Sequence, residues 1–313
     1  MIIVLPLLIA LALSLALTPV ARRVAVRCNL LDRPVARSSH TAPTPFGGGH
    51  AIFVAFWVTT FALGWPPSPQ FIGLFIGSII LLIVCTLDDR QNLPALPRLL
   101  VQLLAGVAAW VWGVRIEQIT NPLATWIGPE IVVMGGLGLP VTVLWIAFMT
   151  NAMNWLDGLD GLAGGISAIA AMTLAIVAAS NDPVLGIVVP VAALAGSTIG
   201  FLRYNFPPAS VFMGDTGAMF LGYMLASLAV MGPVKGPAAI VLVVPLLVLG
   251  LPIYDSVSTM VGRLLRGQPP HKPDRAHLHH RLRDNGLSVR ETVLIMYGIS
   301  GLLCVIALGV WMR

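Results

Sequence analysis

Charge is scarce in this chain: Asp, Glu, Lys and Arg together make up 10% of its 313 residues. Soluble domains carry about 25%. The deficit, with 57% hydrophobic residues and a mean hydropathy of +0.90, excludes an ordinary water-soluble domain and leaves an integral membrane protein. Cysteine is also rare. Cys28, Cys85 and Cys304 are odd in number and far apart, two of them inside apolar runs. That excludes a disulfide framework or a cysteine-based metal site, and they read as small core residues. No positive charge precedes the first apolar stretch, residues 1–20; Arg22 and Arg23 follow it instead. A cleaved signal peptide carries its positive charge first, so a retained first helix is expected. There is no internal repeat, no low-complexity run and no stretch that reads as a soluble domain.

What is present is hydrocarbon in spanning lengths, about 17–25 residues with some pieces shorter. Ten such segments fall near 1–20, 48–64, 71–87, 98–114, 138–151, 162–179, 184–201, 214–232, 237–257 and 290–311. The fifth is short, and the ninth carries Pro245 and Pro252, which can break it. Gly and Pro recur within the segments, as membrane helices tolerate. The expectation is an all-α polytopic membrane protein, one domain over 1–313 with about ten transmembrane helices. Taking the odd-numbered loops as 21–47, 88–97, 152–161, 202–213 and 258–289, all 18 Lys and Arg except Arg115, Lys235 and Arg313 lie in or beside them. The positive-inside rule then puts these loops in the cytoplasm and both termini outside.

The polar chemistry gathers on that same face. NAMNWLDGLDGLAGG sets Asn151, Asn154, Asp157 and Asp160 at three-residue intervals. Carboxylates beside a bilayer are costly and ask for a counter-charge, most simply a hard cation. The two Asp-Gly steps favour a tight, non-helical backbone that lets a ligand approach. Asp88 and Asp89 end the third segment in LDDRQN, and Asp215 begins the eighth in VFMGDTG. All six histidines, His40, His50, His271, His277, His279 and His280, lie in or beside the odd loops. Each feature alone has a plainer explanation: a solvated helix end, a turn and cap, or a basic surface on anionic headgroups. Their convergence on one face favours a site.

Mg²⁺ binds oxygen ligands, through one or two carboxylates plus substrate phosphates. A nucleotide diphosphate brings those phosphates, and Arg, Lys and His neutralise charge as it shifts in the transition state. The phosphate of a polyprenyl carrier lies at the same headgroup depth. Transfer of a phosphosugar between the two fits this setting.

The motifs also resemble a known family. LDDRQN is similar to the DDxx(D/N) motif of the polyprenyl-phosphate N-acetylhexosamine-1-phosphate transferases (glycosyltransferase family 4), and NAMNWLDGLDGLAGG resembles their NxxNxxDGxDGL signature. YNFPPASVFMGDTGAMFLG is similar to their N-x-P-A-x-x-F-M-G-D-(T/S)-G segment, DRAHLHHRL to their His-rich last cytoplasmic loop, and DRPVARSSHTAPTPFGGG to their first loop. These five motifs run in family order from about residue 32 to 283.

The resemblance implies ten transmembrane helices, a cytoplasmic cleft and a broken ninth helix in a bacterial inner membrane. It implies transfer of a UDP-N-acetylhexosamine's sugar 1-phosphate to undecaprenyl phosphate, with UMP released and Mg²⁺ or Mn²⁺ required. By motif, Asp215 is the best metal ligand, with Asn154 and Asp157 at the metal or diphosphate. Asp88 and Asp89 fall near the metal and lipid phosphate, one a candidate base. Asp160, Asn205 and Phe212 match uridine-holding positions. His277, His279, His280 and Arg281 would meet the diphosphate or sugar, and Arg37 and His40 belong to the first-loop motif. Ser38 stands where the family often has Lys. Direct attack by the lipid phosphate and a covalent aspartyl intermediate both remain open. The peptidoglycan branch has three consecutive histidines where this chain has His277-Leu278-His279-His280, which favours a small sugar, foremost N-acetylglucosamine, for O-antigen, common-antigen or teichoic-acid linkage synthesis. A homodimer is compatible with the family; no nucleic-acid partner is expected.

Other classes fit less well. A secondary transporter would place its carboxylates near the midplane, often with paired repeats, whereas these sit at segment ends. A CDP-lipid alcohol phosphatidyltransferase would need an uninterrupted aspartate motif that is absent. A silent scaffold of the same fold would be expected to lose metal-site Asp residues, and all five are present.

Overall fold

The computed structural model describes residues 2–33, 43–63, 68–120, 128, 131–181, 186–232, 238–269 and 276–312. It is an all-α bundle whose helices are α1 (Val4–Arg27), α2 (Gly48–Leu63), α3 (Pro69–Gln91), α4 (Ala95–Val111), α5 (Gly138–Leu156) and α6 (Leu162–Asn181), followed by α7 (Val188–Asn205), α8 (Gly214–Met231), α9 (Ala238–Val248), α10 (Gly250–Leu265), α11 (Leu278–Asp284) and α12 (Val289–Trp311). Two small antiparallel pairs interrupt the helices. Leu31–Asp32 pairs with Thr44–Pro45, and Gln118–Thr120 with Ile131–Val133.

The expected ten segments correspond to α1 through α8, the α9–α10 pair, and α12. Among the described residues six helices are long and apolar enough to cross a membrane, and α2 and α4 are shorter apolar helices. The protein is therefore a multi-pass membrane protein. α6 and α8 are largely buried at the centre, while α1 and α12 turn most of their surface outward.

Two boundaries move, and both moves matter for the site. α3 runs on to Gln91, so Asp88 and Asp89 occupy its last turn, and α5 runs to Leu156, so Asn154 is helical and not in the loop. Polar side chains end a hydropathy signal before they end a helix. The region 258–289, drawn as a loop, contains the end of α10 and all of α11. The ninth segment is broken, with Leu249 between α9 and α10. Pro252 has no N–H to give the carbonyl of Val248 and its ring crowds that group, so the helix parts at the next residue.

With lipid as apolar as leucine, membrane helices associate through close van der Waals packing, which small residues permit. α1 buries Pro6, Ala10, Ser14 and Thr18, one residue every four, against α7. A Cβ on Gly196 or Gly200 of α7 would stand 2.1 Å from Leu7 O or 2.6 Å from Leu11 O. The Tyr204 hydroxyl donates to Leu15 O at 3.0 Å and fixes the register. Further along, Phe53, Phe56, Trp57, Phe61, Phe75 and Phe220 form one aromatic cluster joining α2, α3 and α8.

Gly196→Ala is expected to lower the thermal midpoint in detergent, through a destabilisation of about 1–3 kcal/mol from overpacking. Gly298→Ala on α12, where nothing lies within 4 Å of the new Cβ, is expected to cause no loss. Equal melting of the two variants would contradict the α1–α7 packing.

Candidate active site

The sequence motifs meet where α3 and α5 end and where α4 and α8 begin. Adjacent helical residues point about 100° apart, so Asp88 and Asp89 diverge. Asp89 reaches the start of α8. Its Oδ1 accepts the N–H of Asp215 at 2.7 Å; its Oδ2 accepts the Thr216 hydroxyl at 2.7 Å and the Thr216 N–H at 3.3 Å. A helix N-terminus offers unpaired N–H groups and a positive dipole end, and a carboxylate from a neighbouring helix satisfies both. Gly214, at φ +69, makes the approach possible: a Cβ there would lie 2.5 Å from Asp89 Oδ2.

Asp88 turns toward α4. Its Oδ1 accepts the Leu93 N–H at 2.6 Å, and its Oδ2 lies 3.4 Å from Arg98 Nη1, buried and without a hydrogen bond. The same Arg98 nitrogen donates to Asp215 Oδ2 at 3.1 Å, and Asn154 Nδ2 donates to Asp215 Oδ1 at 2.8 Å. Arg98 thus bridges two motif carboxylates 127 residues apart at their extremes, Asp88 and Asp215, and Asn154 brings in the third motif. Asp157 caps the end of α5. Burial, and then the charges of Asp215, Asp89 and Asp160, hold its carboxyl well above the ordinary carboxylate range. Repulsion of that kind is what a bound cation relieves.

Asn151 does not join this group. Its amide faces Gln102 of α4 in a reciprocal side-chain pair, with Gln102 Nε2 donating to Asn151 Oδ1 at 3.2 Å and Asn151 Nδ2 donating to Gln102 Oε1. The four regularly spaced polar residues therefore divide, because a three-residue interval on α5 turns successive side chains progressively around the helix.

Asp160 and Asn205 connect loops. Asp160 Oδ2 accepts Ala209 N–H at 2.9 Å; Asn205 Oδ1 accepts Gly161 N–H at 2.9 Å, and its Nδ2 donates to Val211 O at 3.0 Å. The Asp-Gly turn of 157–161 is thereby tied to the segment leading into α8. Phe212 joins this segment to the chain before α2: its N–H donates to Pro45 O at 2.9 Å, its carbonyl accepts Gly48 N–H at 3.0 Å, and its ring lies 6.3 Å from that of Phe46. The Tyr297 hydroxyl of α12 donates to Gly161 O at 2.5 Å.

The histidines cover the other side of the 157–161 turn. His277, His279 and His280 lie in series, with ring centroids 5.8 and 4.2 Å apart. His279 is buried with neither ring nitrogen hydrogen-bonded, and its Nε2 is 2.4 Å from where a Cβ on Gly158 would be. Burial, then the neighbouring His280, push its imidazole down to about 3, so the ring is neutral. Arg281 is exposed on α11. Arg37 and His40 lie outside the described residues. His50 is in the first turn of α2, with Nε2 2.9 Å from the Thr86 hydroxyl, which is 3.4 Å from that of Thr216.

Sequence spacing missed Arg98, counted only as one charge among many, and Asp255 of α10, which pairs with His277 at 2.8 Å. A signal for Asp255 existed, since an acid inside an apolar segment is itself informative. Among the described residues no three Asp, Glu, His or Cys side chains converge tightly enough to hold a metal by themselves. The oxygen donors of Asp157, Asp215 and Asn154, with the buried Asp88 Oδ2 left without a hydrogen bond nearby, suit a hard divalent cation whose shell is completed by substrate phosphates.

Residues 71–233 match the family model described as glycosyl transferase family 4. The chain is 37% identical over 298 residues, 95% of its length and 82% of the relative's, to the "Probable undecaprenyl-phosphate N-acetylglucosaminyl 1-phosphate transferase" of Bacillus subtilis strain 168. It is 31% identical over 88% of its length to the decaprenyl-phosphate N-acetylglucosaminephosphotransferase of Mycobacterium tuberculosis strain CDC 1551, covering 74% of that protein. To the undecaprenyl-phosphate alpha-N-acetylglucosaminyl 1-phosphate transferase of Yersinia pestis it is 27% identical, over 94% of its own chain and 80% of the relative's.

Asp89→Ala is expected to destabilise the protein by about 1–3 kcal/mol by leaving N–H groups of α8 unpaired, and Asp89→Asn by less. Thermal unfolding in detergent measures both; wild-type melting of Asp89→Ala would show that α8 does not rely on this cap.

Proposed function

The chain belongs to glycosyl transferase family 4, and from that premise we propose that it moves N-acetylglucosamine 1-phosphate from UDP-N-acetylglucosamine to undecaprenyl phosphate and releases UMP. It is a polyprenyl-phosphate sugar-1-phosphate transferase by family and by its relatives' names. The observation that carries the reading is the meeting of the LDDRQN carboxylate Asp88 and the GDTG carboxylate Asp215 on Arg98, with Asn154 of NxxNxxDG hydrogen-bonded to Asp215, at one end of the bundle.

In this reading an oxygen of the lipid phosphate forms a bond to the β-phosphorus, and the bond from that phosphorus to the bridging oxygen breaks. UMP leaves with the bridging oxygen and its electron pair. A phosphate monoester with a second pKa of about 6 is largely dianionic at neutral pH, so direct attack needs positioning more than a strong base. Asp215, Asp157 and Asn154 would hold a divalent cation, Mg²⁺ or Mn²⁺, which would supply neutralisation of the diphosphate charge. Arg98 restrains Asp88 and Asp215 and adds positive charge at the same place. Asp88, with one oxygen free of hydrogen bonds, is the better candidate base of the DD pair, since Asp89 is engaged as a helix cap. His277, His279, His280 and Arg281 meet the diphosphate or sugar. Asp160, Asn205 and Phe212 shape the uridine side, together with Arg37 and His40 of the first loop.

The site lies with the arginine-rich helix ends, which the positive-inside rule assigns to the cytoplasm. The donor nucleotide would thus reach it from the cytosolic side of a bacterial inner membrane, while the acceptor arrives within the bilayer.

Purified protein with undecaprenyl phosphate and Mg²⁺ is expected to release UMP from UDP-N-acetylglucosamine and not from UDP-MurNAc-pentapeptide, and chelation is expected to stop it reversibly. Asp215→Ala should lower turnover on the order of 10²–10³-fold, the scale of losing one preorganised electrostatic group. UMP only from another donor would overturn the sugar; normal turnover by folded Asp215→Ala would overturn the metal assignment.

A further inference from the structure

Asp255 is the sole acid in α10, 1% exposed, and both of its oxygens are taken by the entry to α11. Oδ1 accepts the Leu278 N–H at 2.6 Å, and Oδ2 lies 2.8 Å from His277 Nδ1. A carboxylate offers only lone pairs, so the proton of the His277 ring is held on Nδ1 and Nε2 is the atom left over. The ring itself is bracketed, with Trp155 6.1 Å away in a tilted contact and His279 stacked at 5.8 Å. His279 in turn rests on Gly158 of the Asp-Gly turn. A single buried carboxylate therefore sets the ring orientation, the proton position and the placement of the histidine series on that turn.

We infer that Asp255 is a positioning residue for phosphosugar transfer, acting through His277 by fixing its orientation and its Nδ1-protonated form so that Nε2 is presented to the diphosphate-sugar. The inference rests on the transferase reading above. It differs from a purely structural clamp between α10 and α11, which would hold the chain without caring where the ring proton resides.

Asp255→Asn separates the two. The amide matches the carboxylate in shape, and its oxygen can keep the Leu278 N–H. Its NH₂ then faces His277 Nδ1, and two donors cannot face each other, so the ring proton moves to Nε2. The variant is expected to fold, to keep its KM for UDP-N-acetylglucosamine within about threefold, and to lose turnover roughly 10- to 100-fold, the scale of a charge-assisted hydrogen bond. In a His277→Ala background, the same change should cost less than about twofold more, because interacting residues are non-additive. Histidine ¹⁵N spectra of the full chain in detergent should show Nδ1 of His277 protonated in the wild type and unprotonated in Asp255→Asn. Additive losses, unchanged turnover, or a proton that stays on Nδ1 would overturn the proposal. If the wild type released no UMP from any UDP-N-acetylhexosamine donor, the transferase reading would fail on that result, and the ¹⁵N comparison would still decide whether Asp255 governs His277.

Discussion

A helix that starts at a membrane face brings with it N–H groups and a positive dipole end that water satisfies poorly there. In this protein the Asp89 carboxylate meets them, arriving from the last turn of α3 at the first turn of α8. Asp215 is the residue whose N–H is held, so its own side chain is aimed by the cap, toward Asn154 on one side and Arg98 on the other. The same contact thus closes a central helix and orients the best candidate metal ligand. Gly214 is required at that point because its backbone is left-handed and because Asp89 occupies the space of a side chain.

The helices can deliver these groups because they pack so closely. Gly49 of α2 sits against the backbone of Gly217 in α8, and Gly222 of α8 against Met149 O in α5. Each contact lies within two or three turns of the site, so helix ends bearing charged groups are set by rigid neighbours and not by long loops. Placing catalytic groups on such elements gives better-defined geometry than placing them on flexible connections.

The architecture was largely readable from the order of apolar runs, since lipid leaves the backbone few options but helices. Pro252 marked the break in the ninth segment through the hydrogen bond it withholds from Val248. Helix ends were misjudged at Asp88, Asp89 and Asn154 because hydropathy falls with the first polar side chain while the backbone ladder continues. In the site, the carboxylate motifs stood out because charge is rare in an apolar chain. The Arg98 bridge did not, because a pairing across 117 residues leaves no local pattern. Asn151 misled for the opposite reason: regular spacing suggested shared purpose, yet its amide is consumed by Gln102. Asp255 was passed over as part of a span, although its burial cost demanded a partner and His277 is that partner.

His279 carries a further consequence. Both of its ring nitrogens are buried without a hydrogen bond, an arrangement that costs about 1–3 kcal/mol for each unsatisfied group. A packing-optimised sequence would fill that place with an apolar side chain. An imidazole in that place is a local cost to stability that the packing around it has to offset. Variants selected for heat resistance would be expected to drift toward apolar residues at this position first.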